Sequence, residues 1–148
     1  MKLVVQRSKK SKVTVNNKIV GKIDNGLVVL VGFTHTDSIE EIKKLTKKLI
    51  NLRIFDDENH IMNKSILDVK GSILSISQFT LYADCKKGNR PSYINAMKAN
   101  EAKKLYELFN EEIRKYDVNL ETGIFQADML VEINNDGPVT IILESEKI

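Results

Sequence analysis

The sequence predicts an α/β fold, a single domain spanning 1–148 with a largely antiparallel, barrel-like β-sheet core and two main flanking helices. Three observations predict it. Short β-branched runs separated by Asn, Asp and Gly recur through the first third of the chain. Two longer stretches place apolar residues at helical spacing. The closing third returns to two-residue alternation.

Taken in order, Leu3-Val4-Val5 and Val13-Thr14-Val15 read as strands, and Asn16-Asn17 supplies a turn before Ile19-Val20. Asp24-Asn25-Gly26 is a second turn signal, since Asn and Gly tolerate positive φ. Leu27 to Val31 is an unbroken apolar run, the pattern of a strand covered on both faces. Ser38 and Glu41 form a capping box that starts a helix, with Ile39, Ile42, Leu45 and Leu49 on one face and lysines mostly opposite. Ile73 to Phe79 is a further strand running into a polar segment. A second helix is expected over Asn100–Tyr116, with Ala102, Leu105, Phe109, Ile113 and Tyr116 as its apolar stripe. From Ala127 to Ile133 odd-numbered residues face one way. A turn at 134–137 then leads into Val139–Leu143, so the closing pair reads as an antiparallel hairpin.

Composition excludes several classes. A chain of 148 residues, 42% hydrophobic, buries a core without staples, and one cysteine cannot form an internal disulfide. The longest apolar stretch, Leu27–Phe33, is too short to span a bilayer, and no apolar leader opens the sequence. A soluble cytoplasmic protein is expected. The net charge of +3 permits a polyanionic partner without requiring one. Lys9, Lys10 and Lys12 form one basic cluster, and Lys86, Lys87 and Arg90 another; charge alone favours two solvated loops.

The chemistry is narrowed by what is missing. Only two histidines occur, His35 and His60, both in expected loops. No metal-ligand spacing, dinucleotide fingerprint or phosphate loop is present, so neither metal nor cofactor is expected. Cys85 lies in a lysine-rich loop, yet no local signature makes it a nucleophile, and a bystander thiol is the favoured reading. Ser77, Gln78 and Thr80 stand where an apolar strand runs out. Such a strand end can offer backbone N–H groups to an oxyanion, or simply tie its hydroxyls to the backbone. Asp136-Gly137-Pro138 opens a strand with proline, which an edge tolerates; the cis peptide is accessible there, and a plain hairpin turn is the simpler account.

Together these segments resemble the D-aminoacyl-tRNA deacylases of the bacterial and eukaryotic type, nearly from end to end. The matching stretches are Val5-Gln6-Arg7, Leu52-Arg53-Ile54-Phe55, Ser77-Gln78-Phe79-Thr80-Leu81 with Tyr82-Ala83-Asp84, and Lys87-Gly88-Asn89-Arg90-Pro91-Ser92. Thr122 to Met129 and Asn135-Asp136-Gly137-Pro138-Val139-Thr140 complete them. The resemblance implies a hydrolase that cleaves the ester of a D-amino acid, or glycine, to the terminal adenosine of tRNA. It implies a homodimer in which Gly137-Pro138 of one subunit enters the active site of the other and excludes L-side chains. Arg7 would hold that dipeptide. Ser77, Gln78, Phe79 and Thr80 would line the ester, with the Phe79 and Thr80 amides as oxyanion donors. Phe125, Ala127 and Met129 would border the adenosine pocket. A module that binds aminoacyl-tRNA ends without hydrolysis is the alternative.

Two departures from the family pattern stand out. Gln126 occupies a position usually held by Gly, where it either narrows the adenosine pocket or points away. Ser8-Lys9-Lys10-Ser11 replaces an apolar and small run, which bears on the packing of the first hairpin and offers further phosphate contacts. Pro91 is expected to start a helical turn.

Overall fold

A computed structural model describes residues 1–148. Its strands are β1 (Lys2–Ser8), β2 (Ser11–Val15), β3 (Lys18–Ile23), β4 (Gly26–Gly32), β5 (Phe55–Asp56), β6 (Met62–Lys64), β7 (Ser72–Ser77), β8 (Asn119–Thr122), β9 (Leu130–Glu132) and β10 (Asn135–Glu144). The helices are α1 (Ile39–Ile50) and α2 (Ala99–Arg114). Neither is long and apolar enough to cross a membrane.

The strands form a five-stranded sheet, β10-β1-β4-β7-β8, and a three-stranded sheet, β3-β2-β9, with β5-β6 as a small ribbon. The α/β class and the two helices agree with the sequence. The barrel does not: the large sheet is open, with β10 and β8 as its edges, and it is mixed, since β4-β7 and β7-β8 run parallel. Each parallel pair needs a long crossover, and α1 and α2 lie within the two crossovers.

The apolar run of β4 shows why three layers form. Leu27, Val29 and Val31 join the core beneath the helices, with Ile42, Leu45, Leu49 and Phe109. The alternate Val28 belongs to a second core with Val13, Ile23, Leu74 and Ile76, under the small sheet. A strand buried on both faces has no reason to alternate, so its continuous run is the signature of a middle layer. Gly21 brings β3 against β8 on that side. A Cβ there would lie 2.7 Å from the Thr122 carbonyl.

Local signals act as expected at several points. The Ser38–Glu41 capping box is formed, with Glu40 N–H donating to Ser38 Oγ at 3.2 Å and Ser38 N–H to Glu41 Oε2 at 2.8 Å. The Ser38 hydroxyl bond holds the Glu41 carboxyl below its ordinary range. Asn16 and Asn17 both take positive φ in the β2–β3 turn. The polar Ser8–Ser11 corner packs well: Ser8 and Ser11 are buried with their hydroxyls 2.7 Å apart, and the Asn134 backbone bonds both.

Other expectations need correction. Ile39 is exposed in the first turn of α1, and buried Thr46 and Ile50 complete its inner face instead. The second helix stops at Arg114, leaving Tyr116 beyond it. The strand expected over Ala127–Ile133 contracts to β9, although exposure still alternates along the whole stretch. β9 and β10 are not a hairpin, since β9 pairs with β2 and β10 with β1. Residues 135–137 belong to β10, not to a turn. Pro91 starts no helical turn; it precedes an isolated bridge between Asp84 and Ser92.

Candidate active site

β7 ends at Ser77, and the chain turns at once into a 3₁₀ turn over Phe79–Tyr82. Two features fix that turn. Gln78 N–H donates to the Val31 carbonyl of neighbouring β4 at 2.7 Å. Gly32 lies beneath it, where a Cβ would approach the Gln78 carbonyl to 3.0 Å and Leu81 Cβ to 3.1 Å. The turn's backbone bonds begin with Leu81 N–H to Gln78 C=O at 3.3 Å, so the N–H groups of Phe79 and Thr80 have no partner within it.

Beside this strand end opens a cavity of about 610 Å³. Ser77, Gln78 and Phe79 form one wall, and Phe125, Ala127 and Met129 another. The structure thus brings six of the expected site residues to one cavity. Gly123 admits Met129 to the wall, since a Cβ there would sit 2.5 Å from Met129 Sδ. Tyr93, Met97 and Ala102 also line it and were not anticipated. Tyr93 directly follows the Lys87–Ser92 motif, and Ala102 is the small member of the α2 stripe; a small residue in an apolar stripe is the available signal.

The walls carry no Asp, Glu, His, Lys, Arg or Cys. Nowhere in the chain do three His, Cys, Asp or Glu side chains converge, so no residue set offers a metal shell. His35 Nε2 is engaged with the Ile94 carbonyl at 2.8 Å, and Cys85 is exposed in its loop. Chemically the cavity offers apolar surface with a few amide and hydroxyl groups.

Thr80 stands just outside the cavity wall, and its Oγ1 accepts a hydrogen bond from Gln78 Nε2. Gln126 is exposed at the cavity rim with φ +63, a left-handed conformation that costs a non-glycine residue about 1 kcal/mol. Glycine would meet that backbone requirement without the cost.

Arg7, Gly137 and Pro138 lie elsewhere. Gln6 pairs with Thr140 and Ser8 with Asn135, so the four residues Asp136–Val139 stand opposite Arg7 alone and bulge from the sheet edge. The Gly137-Pro138 peptide is cis, and both residues are exposed. Behind them the Arg7 guanidinium is nearly buried. Its Nε donates to the Asp136 carbonyl at 3.3 Å and lies 3.4 Å from Asp136 Oδ2. Nη1 donates to the Ile54 carbonyl at 2.8 Å and to Asp56 Oδ1 at 3.2 Å. Ile54 thus takes part through a carbonyl, which no side-chain pattern can reveal.

The ladder registers measure how far this bulge is from the cavity. Arg7 pairs with Leu27 and Leu27 with Ile73, whereas Leu3 pairs with Val31 and Val31 with Ser77. Ser77 is therefore four residues along and three strands across from Gly137. At ~3.3 Å per residue and ~4.8 Å per strand, the separation is roughly 20 Å.

Known proteins resemble this chain over almost its whole length. The family model described as D-Tyr-tRNA(Tyr) deacylase matches residues 4–144. A protein of Bacillus cytotoxicus named D-aminoacyl-tRNA deacylase is 57% identical over 146 residues, covering 99% of this chain and 100% of that one. One of the same name from Fervidobacterium nodosum is 55% identical over 148 residues, covering 100% and 99%. Among solved structures, the c-Myc DNA Unwinding Element Binding Protein superimposes with a TM-score of 0.92 at 41% identity, covering 97% of this chain and 98% of that one. A probable eukaryotic D-amino acid tRNA deacylase, 17% identical with a TM-score of 0.82 and 96% and 97% covered, shares the fold. With most of its length matched by the model and more than half its residues shared with such relatives, the chain belongs to the D-Tyr-tRNA(Tyr) deacylase family.

Proposed function

We propose that this protein is a cytoplasmic deacylase that hydrolyses the ester joining a D-amino acid, or glycine, to the terminal adenosine of tRNA. It works as a homodimer. The observation that carries the reading is the convergence of Ser77, Gln78 and Phe79 with Phe125, Ala127 and Met129 on one apolar cavity without a charged side chain. The adenosine occupies the apolar part, bordered by Phe125, Ala127 and Met129. The ester carbonyl then lies against the turn, where the N–H groups of Phe79 and Thr80 receive its oxygen.

Water attacks the carbonyl carbon, and the resulting oxyanion is held by those two donors. The bond to the ribose oxygen breaks and that oxygen takes up the proton, leaving free amino acid and tRNA. An aminoacyl ester is already activated, so a preorganised oxyanion site supplies much of the acceleration. The vicinal ribose hydroxyl orients the water, since the cavity wall holds no base. Thr80 Oγ1, bound by the Gln78 amide, has no base beside it and is not the nucleophile.

Rejection of L-substrates needs a clash, because a merely weaker attraction leaves abundant L-aminoacyl-tRNA at risk. Gly137-Pro138 supplies it through backbone carbonyls. The roughly 20 Å between this pair and Ser77 within one chain supports a second copy as the source of the wall. Arg7 is the positioning residue that braces the bulge from behind.

The test incubates the purified protein with D-Tyr-tRNA and L-Tyr-tRNA in EDTA. Loss of the D-ester alone is expected, with glycyl-tRNA hydrolysed as well. Equal hydrolysis of the D- and L-esters, or of neither, overturns the reading. A second reading is binding of aminoacyl-tRNA ends without hydrolysis; the 41%-identical structure is itself named for binding a DNA element. Retention of intact D-Tyr-tRNA in a stable complex would favour it.

A further inference from the structure

The loop that leaves the cavity's 3₁₀ turn and returns to Tyr93 has no part in the chemistry above. Its base is closed by an antiparallel bridge, Asp84 N–H to Ser92 C=O at 2.8 Å and Ser92 N–H to Asp84 C=O at 2.9 Å. Inside the bridge, Asp84 Oδ1 accepts from Lys86 N–H at 2.9 Å. At its tip Gly88 takes φ +69, and a Cβ there would meet nothing within 4 Å, so the tip stands clear of the body.

Three cations project from this loop, Lys86, Lys87 and Arg90, all exposed and none in an ion pair. The other basic cluster is largely neutralised: Lys9 is paired with Asp136 and Lys12 with Glu132, leaving Lys10 alone without an ion pair. Unpaired cations on a loop closed at its base keep their full charge available to an anionic partner. Where the loop meets the cavity, the Phe79 and Tyr93 rings pack edge to face at 5.0 Å, yet remain 55% and 41% exposed. Exposed aromatic faces beside a line of free cations are what single-stranded nucleic acid binds, bases on the rings and phosphates on the cations.

We propose that the Asp84–Ser92 loop holds the phosphates of the single-stranded nucleotides that precede the terminal adenosine, with the Phe79–Tyr93 pair as the stacking face for the adjoining base. This rests on the deacylase reading and assigns its substrate a second contact region outside the cavity. Charge complementarity selects the occupant: the loop carries three cations against one carboxylate, and that carboxylate is already engaged.

The test replaces the three cations together, Lys86→Ser, Lys87→Ser and Arg90→Ser, in the full chain. Two substrates are compared, D-Tyr-tRNA and the D-tyrosyl ester of adenosine alone. On D-Tyr-tRNA, kcat/KM at low salt falls on the order of tenfold, carried by KM. The slope of log kcat/KM against log salt becomes shallower by about 2, because each single-strand phosphate contact contributes ~0.7. Hydrolysis of the adenosine ester is unchanged. Equal losses on both substrates would make the loop a support for the cavity and overturn the proposal, as would an unchanged salt slope. Conversion to monomer with an unchanged slope would assign the loop to subunit contact, also against it. If the wild-type protein hydrolyses neither substrate, the deacylase reading fails by itself. The loop is then decided by salt titration of binding to a short single-stranded RNA ending in adenosine, where equal slopes for wild type and variant overturn it.

Discussion

At the cavity beside β7 the walls are largely apolar and uncharged; at the β10 edge a nearly buried guanidinium, two carboxylates and two carbonyls meet in one network. The cavity is shaped by what small residues leave room for. The bulge is held by what one large residue reaches. Shape made from backbone tolerates loss of a side-chain hydroxyl but not a stray methyl. A bulge held by charge tolerates surface change but not loss of its cation.

The sharpest way to break this contrast is Arg7→Ala. It leaves Asp136 and Asp56 facing a void and strips the Ile54 carbonyl of its donor. The guanidinium is nearly buried but both carboxylates keep contact with solvent, so the loss of its charge-assisted hydrogen bonds costs about 1.5 to 3 kcal/mol, read as a lower urea midpoint. Arg7→Lys should recover little, because one ammonium cannot span Ile54, Asp56 and Asp136. Wild-type stability in Arg7→Ala would remove the charged half of the comparison.

Gly137→Ala ranks next. Gly137 takes φ +120, and a Cβ would lie 2.9 Å from Val139 Cγ2 and 3.1 Å from Arg7 Nη2. The conformation costs an alanine about 1 to 3 kcal/mol, so the bulge shifts. Hydrolysis of L-Tyr-tRNA should rise relative to D-Tyr-tRNA; an unchanged D/L ratio would count against the bulge as the selective wall.

Gly32→Ala probes the cavity. Its methyl meets the Gln78 carbonyl at 3.0 Å, and the 3₁₀ turn must yield by a few tenths of an ångström. The expected loss in kcat is on the order of tenfold, with a smaller change in thermal midpoint, since misplaced donors harm the rate first. Thr80→Ala sharpens the same point from the mild side. It removes only the hydroxyl bonded to Gln78, so the protein should fold normally and keep kcat within a few-fold. Complete loss of turnover with intact substrate binding would make Thr80 the nucleophile.

Local signals carried much of this structure in the sequence. The capping box at Ser38, the asparagine turn and the buried β4 run all act through neighbours a few residues away. Partner choice was hidden. Alternation from Ala127 to Ile133 gives the side each residue faces, but it cannot say that β9 pairs with β2 rather than β10. The open, partly parallel sheet was hidden for the same reason, because sheet order is set by contacts across distant segments. At the site, Ser77, Gln78 and Phe79 were legible through their motif. Tyr93 and Met97 enter the cavity wall only once tertiary packing is known.

The edge position of β10 also bears on the order in which a ribosome delivers the fold. β1 emerges early, but the strand that covers its outer edge begins only at Asn135. At about 5 to 20 residues per second, the interval between Ser8 and Asn135 is roughly 6 to 25 s. Throughout it that edge offers unpaired backbone groups to any passing strand. Gly137 and Pro138 lie in that same closing strand, so one late segment both seals the sheet edge and carries the bulge.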